Sequence, residues 1–287
     1  MNIRHTQDQG ARRRAVAWLF VLGGALAWSG PVVAAEPVHT LTVAVVPQFS
    51  AADIARTWTP LLERLGERVG VRFELKLSKD IPSFERDVVA GLPDLAYMNP
   101  FHQVRARQAQ GYEPLVRDMD PLTGIIVVKR DAPVQRVDEL TRQAVAFPAP
   151  NAFGASLLVR AYLDEVEHAQ VDAVYVRTHT NAYRHTLRGL SVAAGGVRST
   201  LEREPAEVRE GLRILVETPG AAPHPFSAHP RVSKEMRERI RAAWLVMAKD
   251  PTLQESLRAI PMPRPVAADQ VRDYDPVARL RLDRYAE

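Results

Sequence analysis

An α/β fold is predicted by three features of the sequence. Short β-branched runs alternate with amphipathic helical stretches, glycines and prolines fall between them, and the first third runs β-α-β-α-β-α. That order implies a mostly parallel sheet with helices on both faces. The same alternation restarts near Arg130, so the chain reads as two such lobes.

Leu41–Val46 (LTVAVV) is a near-continuous apolar run, as in a strand covered on both faces. Ile54, Trp58, Leu61, Leu62, Leu65 and Val69 recur at helical spacing after it, and Gly70 ends that helix. Val71–Leu77 alternates as a second strand, and Ser83–Ala90 forms a short helix closed by Gly91. Asp94–Met98 is a third strand. Asn99-Pro100 then supplies a cap and a first-turn proline for a helix running to Gly111. Leu115–Arg117 and Gly124–Lys129 are further strands.

In the second unit, Val137–Leu140 leads into the strand Ala144–Phe147 and a helix capped by Asn151. Ala173–Arg177 is followed by a helix through Leu187. Leu190–Ala194 is a strand after which Gly195-Gly196 opens a helix to Glu202, and Leu212–Glu217 closes the unit. Thr218–Pro230 reads as a connection. Helices over Ser233–Ala248 and Thr252–Ala259 and a segment near Pro276–Tyr285 carry no strand signal, so they are expected to cover the first sheet. The division is therefore 36–129 and 221–287 in one lobe and 130–220 in the other, with two hinge crossings and a cleft between.

Residues 1–35 stand apart. Arg4 and Arg12-Arg13-Arg14 precede the apolar run Ala15–Trp28, and Val33-Ala34-Ala35 before Glu36-Pro37 is a small-residue cleavage signal. A Sec-type signal peptide is expected. Without it the balance is 34 Lys+Arg (38 minus 4) against 33 Asp+Glu (34 minus 1), so nucleic acid and anionic membranes are poor partners. The absence of cysteine excludes disulfides, a thiol nucleophile, thiolate metal sites and a lipidated N-terminal cysteine. A monomer free in the periplasm is expected.

The stretch Ala144–Leu163 organises the functional reading. Behind Asn151, the residues Ala152, Gly154, Ala155 and Ser156 leave backbone N–H groups uncovered at the positive end of a helix, a geometry that holds an anion. An ordinary turn with small residues for close packing explains the same pattern. Strand, polar or small turn and helix start recur at Gln48–Ser50, Tyr97–Asn99, Thr178–Asn181 and Ala194–Val197. In an open sheet these turns share the ligand side. Each has a plainer reading: Asn99 and Thr180 as caps, Gly195-Gly196 as a tight turn, Tyr97 as a core aromatic. At the helix start, His179 suits a neutral imidazole donating one N–H to an oxyanion. The candidate ligand contacts are Phe49, Ser50, Tyr97, Asn99, Asn151, Ala152, Phe153, Gly154, His179 and Gly195, with Tyr183 one turn behind His179.

Nucleotide-loop, dinucleotide, zinc-protease and nucleophile-elbow signatures are absent, so neither an enzyme nor a cofactor is expected. His224 with His229 and His179 with His185 are spaced wrongly for one helix face, so no metal is expected.

At LTVAVVP, DLAYMNPFHQV, GIIVVKRDAPV with VDEL, AFPAPNAFGASLL, YVRTHTNAYRHTLRGL, AAGGVRSTL and HPFSAHPRV the chain resembles the phosphate/phosphite/phosphonate-type substrate-binding proteins of ABC transporters. The resemblance covers nearly the whole chain after residue 35. It implies the two-lobed type II periplasmic binding fold, a small oxyanion held between the lobes, and a permease partner in the inner membrane. It also implies anion contacts at Asn151, Ala152, Phe153 and Gly154, closure by Tyr97, and a contact from His179. Two departures stand out. A hydroxyl-rich Ser-Thr-Ser-Gly-like turn is replaced by Pro150-Asn151-Ala152-Phe153, and Ala194-Gly195-Gly196 stands where an acidic residue is usual. Each lost hydrogen bond to a charged group is worth about 1.5–3 kcal/mol. Phe153 then suggests an apolar wall for a different or larger anion. A sensory role, signalling to a histidine kinase or chemoreceptor, is the alternative; an exported enzyme on this fold is a third.

Overall fold

The computed structural model describes residues 39–286, so the expected signal peptide lies outside the described residues. The first lobe is built from β1 (Thr40–Val45), α1 (Ala51–Val69), β2 (Arg72–Leu77), α2 (Ile81–Val89), β3 (Leu95–Tyr97), α3 (Pro100–Gln110) and β4 (Glu113–Asp118). Its helices start and stop where local chemistry directs. Ser50, Asp80 and Asn99 accept N–H bonds at the three starts, while Gly70 and Gly111 take the left-handed conformation at two ends. The apolar side of α1, with Ile54, Trp58, Leu61, Leu62 and Leu65, is buried in the largest core.

The second lobe contains β5 (Gly124–Lys129), β6 (Ala144–Phe147), α4 (Val159–Glu165), β7 (Asp172–Tyr175), α5 (His179–Leu187), β8 (Ala193–Val197), α6 (Arg198–Glu202), α7 (Ala206–Gly211) and β9 (Leu212–Glu217). Separate apolar clusters cover the two faces of its sheet. The chain then returns through β10 (Pro225–Ala228), α8 (Lys234–Met247), α9 (Gln254–Ala259), β11 (Pro265–Ala267) and α10 (Asp275–Arg279).

The strand orders are β11-β4-β10-β3-β1-β2 and β7-β6-β8-β5-β9. Each sheet is mixed. Pairs β1/β2, β1/β3, β6/β7 and β6/β8 are parallel, and the strands next to the crossings pair antiparallel, which is more antiparallel pairing than the sequence suggests. The crossings meet at Leu122 and Ala221, whose backbones exchange two 2.9 Å hydrogen bonds.

Several expectations are corrected here. Gly124–Lys129 belongs to the second sheet, because a continuous apolar run marks a buried strand without naming its neighbours, and these are β8 and β9. Thr218–Pro230 is not only a connection: Pro225–Ala228 is a fully buried strand between β3 and β4, with its proline at the first position. Pro265–Ala267 is an edge strand in a segment that carries no strand signal. Leu282–Tyr285 rests on the second lobe, where Arg160 donates to Tyr285 O (2.5 Å) and Tyr285 donates to Asp164 (2.7 Å). Gly195 and Gly196 lie inside β8 rather than opening a helix.

Gly195 has a packing reason. A Cβ there would stand 2.1 Å from Ala155 O and 2.4 Å from Phe147 Cδ1, so only glycine lets β8 lie against the turn after β6. Gly195→Ala is expected to cost about 1–3 kcal/mol by overpacking, lowering Tm by about 2–4 °C per kcal/mol; calorimetry checks this.

Candidate functional site

The chain after β6 turns through Pro148–Asn151 and enters a helix at Phe153, with Ala152 rather than Asn151 as its cap. The first turn, Phe153–Leu158, is widened to π-type, because Ala152 O accepts from both Ser156 N (2.8 Å) and Leu157 N (3.1 Å). Ser156 Oγ donates to Ala149 O at 2.6 Å and pins the turn. The backbone N–H groups of Phe153, Gly154 and Ala155 find no acceptor among the described residues. Gly154 is needed because a Cβ would stand 2.5 Å from both Leu122 and Val197.

These residues line a cavity of about 10 Å³ shared by both lobes: Val46, Gln48, Ile81, Asn99 and His224 on one side, Ala152–Ala155, His179 and Val197 on the other. No carboxylate, lysine or arginine lines it. Gln48, Val197 and His224 also line a larger outer cleft of about 480 Å³, with Tyr97, Asp118, Asp120, Arg198, Glu202, Glu217 and the Pro261–Pro263 turn.

His179 is the first residue of α5; its cap is Thr178, which accepts from Asn181 N, so the cap expected at Thr180 sits two residues earlier. The ring is 3% exposed. Its Nδ1 lies 3.2 Å from Thr200 Oγ1, which is 2.7 Å from the Tyr183 hydroxyl and 2.9 Å from Val197 O. The Tyr183 hydroxyl also lies 3.3 Å from Val197 O, so the network closes either with Thr200 donating to Val197 O and His179 Nδ1–H donating to Thr200, or with Tyr183 donating to Val197 O and Thr200 donating to Nδ1. Nδ1 thus faces Thr200 and leaves Nε2 for the cavity, as an acceptor with the proton on Nδ1 or as the expected donor with the proton on Nε2. Burial holds His179 neutral, pulling its pKa down to about 4. Burial, helped by nearby His102 and His179, pulls His224 down to about 3.

Of the residues expected to contact ligand, the structure brings Asn99, Ala152, Phe153, Gly154 and His179 to the cavity. Asn99 is internally engaged: Oδ1 accepts from His102 N (2.8 Å) and Nδ2 donates to Asn151 O (3.0 Å). Asn151 instead ties the lobes together, its Nδ2 donating to Glu85. Burial alone would raise the Glu85 carboxyl, but His102, Asn151 and Arg105 together hold it below its usual range. Phe153 is 2% exposed and packs with Phe101, Leu157 and Val277, so its ring belongs to an apolar cluster at the hinge. Tyr97 donates to Pro261 O (3.1 Å) and borders only the outer cleft. Ser50 is an exposed cap, and Phe49 lies under the Arg203 guanidinium (4.8 Å to the ring centre). Tyr183 supports His179 through Thr200, and Gly195 is buried against Ala155.

Gln48 and His224 escape the sequence reading. Gln48 lies in one of the recurrent turns, whereas His224 precedes a strand too short and proline-rich to be seen. No group of three metal-ligating residues occurs among the described residues, and no helix there is long and apolar enough to cross a membrane.

The buried histidines link stability to pH. Unfolded, both titrate near 6.5. Folded, they resist protonation, so the unfolded chain binds more protons as pH falls. Their contribution is complete above about pH 6.5 and is lost on acidification toward pH 4, at about 1.4 kcal/mol per histidine per pH unit. Thermal melts from pH 7 to pH 4.5 should show this slope, and His224→Gln should roughly halve its histidine-dependent part.

Residues 43–274 match the family model described as ABC transporter, phosphonate, periplasmic substrate-binding protein. A binding-protein component of an ABC phosphonate transporter from Pseudomonas aeruginosa superposes with a TM-score of 0.76 at 13% identity, over 88% of this chain and 90% of that one. PhnD1 from Prochlorococcus marinus, solved in complex with methylphosphonate, gives 0.76 at 14% identity over 86% and 99%. A Xanthomonas citri protein bound to ATP gives 0.70 at 16% identity over 86% and 99%. These likenesses show the two-lobed type II periplasmic binding fold.

Proposed function

The chain belongs to the periplasmic substrate-binding proteins of phosphonate ABC transporters, and on that footing we propose that the backbone amides lining its inner cavity hold an oxygen of the oxyanion head of a small phosphonate-like ligand. The family works with a small-molecule ligand and a membrane permease. The observation that carries the ligand reading is the set of three unpaired amides, Phe153, Gly154 and Ala155, whose residues line a buried cavity free of charged side chains. An anion placed there gains oriented donors in a low-dielectric site without meeting a carboxylate.

His179 refines the ligand form. With Nε2 as acceptor, it takes a hydrogen bond from an acid hydroxyl and so favours the singly ionised oxyanion over the doubly ionised one. Asn99–Asn151–Glu85 and Arg203 to Phe49 and Arg258 O (2.7 Å) join the lobes, so they stabilise the closed form offered to the permease. The protein acts as a monomer that holds and releases its ligand without turnover. A Sec leader over residues 1–35 delivers it, and N-terminal sequencing of the exported protein should begin at Glu36.

Titration calorimetry against phosphite, phosphate, methylphosphonate, ethylphosphonate, sulfate and a sulfonate tests the reading. Binding is expected for the phosphorus oxyanions, and silence across the panel overturns it. With Nε2 as acceptor, affinity should fall about tenfold per pH unit above the ligand's second ionisation. His179→Gln should weaken binding and blunt that dependence; a pH-independent wild-type affinity would remove the acceptor role of His179.

A further inference from the structure

Gln48 and His224 are the two polar side chains shared by the inner cavity and the outer cleft. They are 9% and 5% exposed, and neither side chain forms a hydrogen bond among the described residues. Both are nonetheless held in place. Gln48 N donates to Val46 O (2.9 Å), which fixes the turn after β1. The His224 ring stacks on Tyr97 at 5.4 Å, and the Tyr97 hydroxyl is anchored on Pro261 O. Val197, from the second lobe, closes the third side.

Volume decides what reaches them. The inner cavity of about 10 Å³ is close to the smallest space that holds one water. An oxyanion of four or more heavy atoms exceeds it, so any ligand seated on the amides of residues 153–155 must also fill the passage between Gln48, Val197 and His224. Resting on the oxyanion reading above, we propose that Gln48 and His224 form a neutral neck around the part of the ligand that extends beyond the amides, and that this pair determines which substituents are accepted.

Charge gives the direction of the selection. The neck carries no net charge, and the compartment beyond it holds Asp118, Asp120, Glu202 and Glu217 against Arg198. A short uncharged substituent meets no penalty there. A second anionic group emerging from the neck meets like charge in a partly buried cleft.

Calorimetry with methylphosphonate, ethylphosphonate and phosphonoacetate at one pH is the test. The wild type should bind phosphonoacetate at least tenfold more weakly than ethylphosphonate. Gln48→Lys places a cation at the neck and should raise the phosphonoacetate-to-ethylphosphonate affinity ratio tenfold or more, a gain that a damaged fold does not produce. His224→Ala widens the passage and should raise the ethyl-to-methyl ratio. Both ratios remaining within twofold of wild type, in variants that still bind, overturns the neck and leaves the oxyanion site standing. Loss of all binding in Gln48→Lys, together with a wild-type ratio in His224→Ala, also counts against the neck. Failure of the wild type to bind any of the three, or phosphite, overturns both readings.

Discussion

Three backbone amides without an internal acceptor, buried where two lobes meet, constrain everything around them. A buried donor left unpaired costs about 1–3 kcal/mol, and native proteins leave few such groups. The first turn of the helix at Phe153 opens to π-type, Ser156 pins it to Ala149, and Gly154 and Gly195 remove the side chains that would hold it away from Leu122, Val197 and β8. The residues of that turn line the cavity between the lobes.

The electrostatics follow the same logic. Charged groups near the cavity are withdrawn from it. Glu85 is occupied by Arg105 (2.7 Å), His102 and Asn151, and the carboxylates of the outer cleft lie beyond the Gln48–His224 passage. The cavity is left to amides and neutral imidazoles, whose dipoles stabilise an anion without the desolvation cost of a buried cation. The ties that exclude solvent also join the lobes. Asn99 and Glu85 meet Asn151 beside the cavity, and Arg203 crosses from the end of α6 to Phe49 and the end of α9. Opening the cleft therefore breaks contacts that the ligand itself does not make. Under the proposed function, ligand affinity and lobe closure are coupled through them.

The sequence by itself determined the local structure. The spacing of Ile54 through Val69 made α1, Asn99-Pro100 and Gly111 bounded α3, and the apolar runs at Leu41, Ala144 and Leu212 made strands. It also determined the fold class and that residues 152–154 and His179 would reach the cleft, because strand-to-helix turns in such a sheet share one edge. Tertiary structure alone decided the sheet neighbours of Gly124–Lys129, the strand at Pro225–Ala228, the tie made by Asn151 and the places of Gln48 and His224. Pairing between strands, and the facing of side chains from distant segments, depend on contacts made across the folded chain. A run of residues carries its own periodicity, but it carries no record of what will be packed against it.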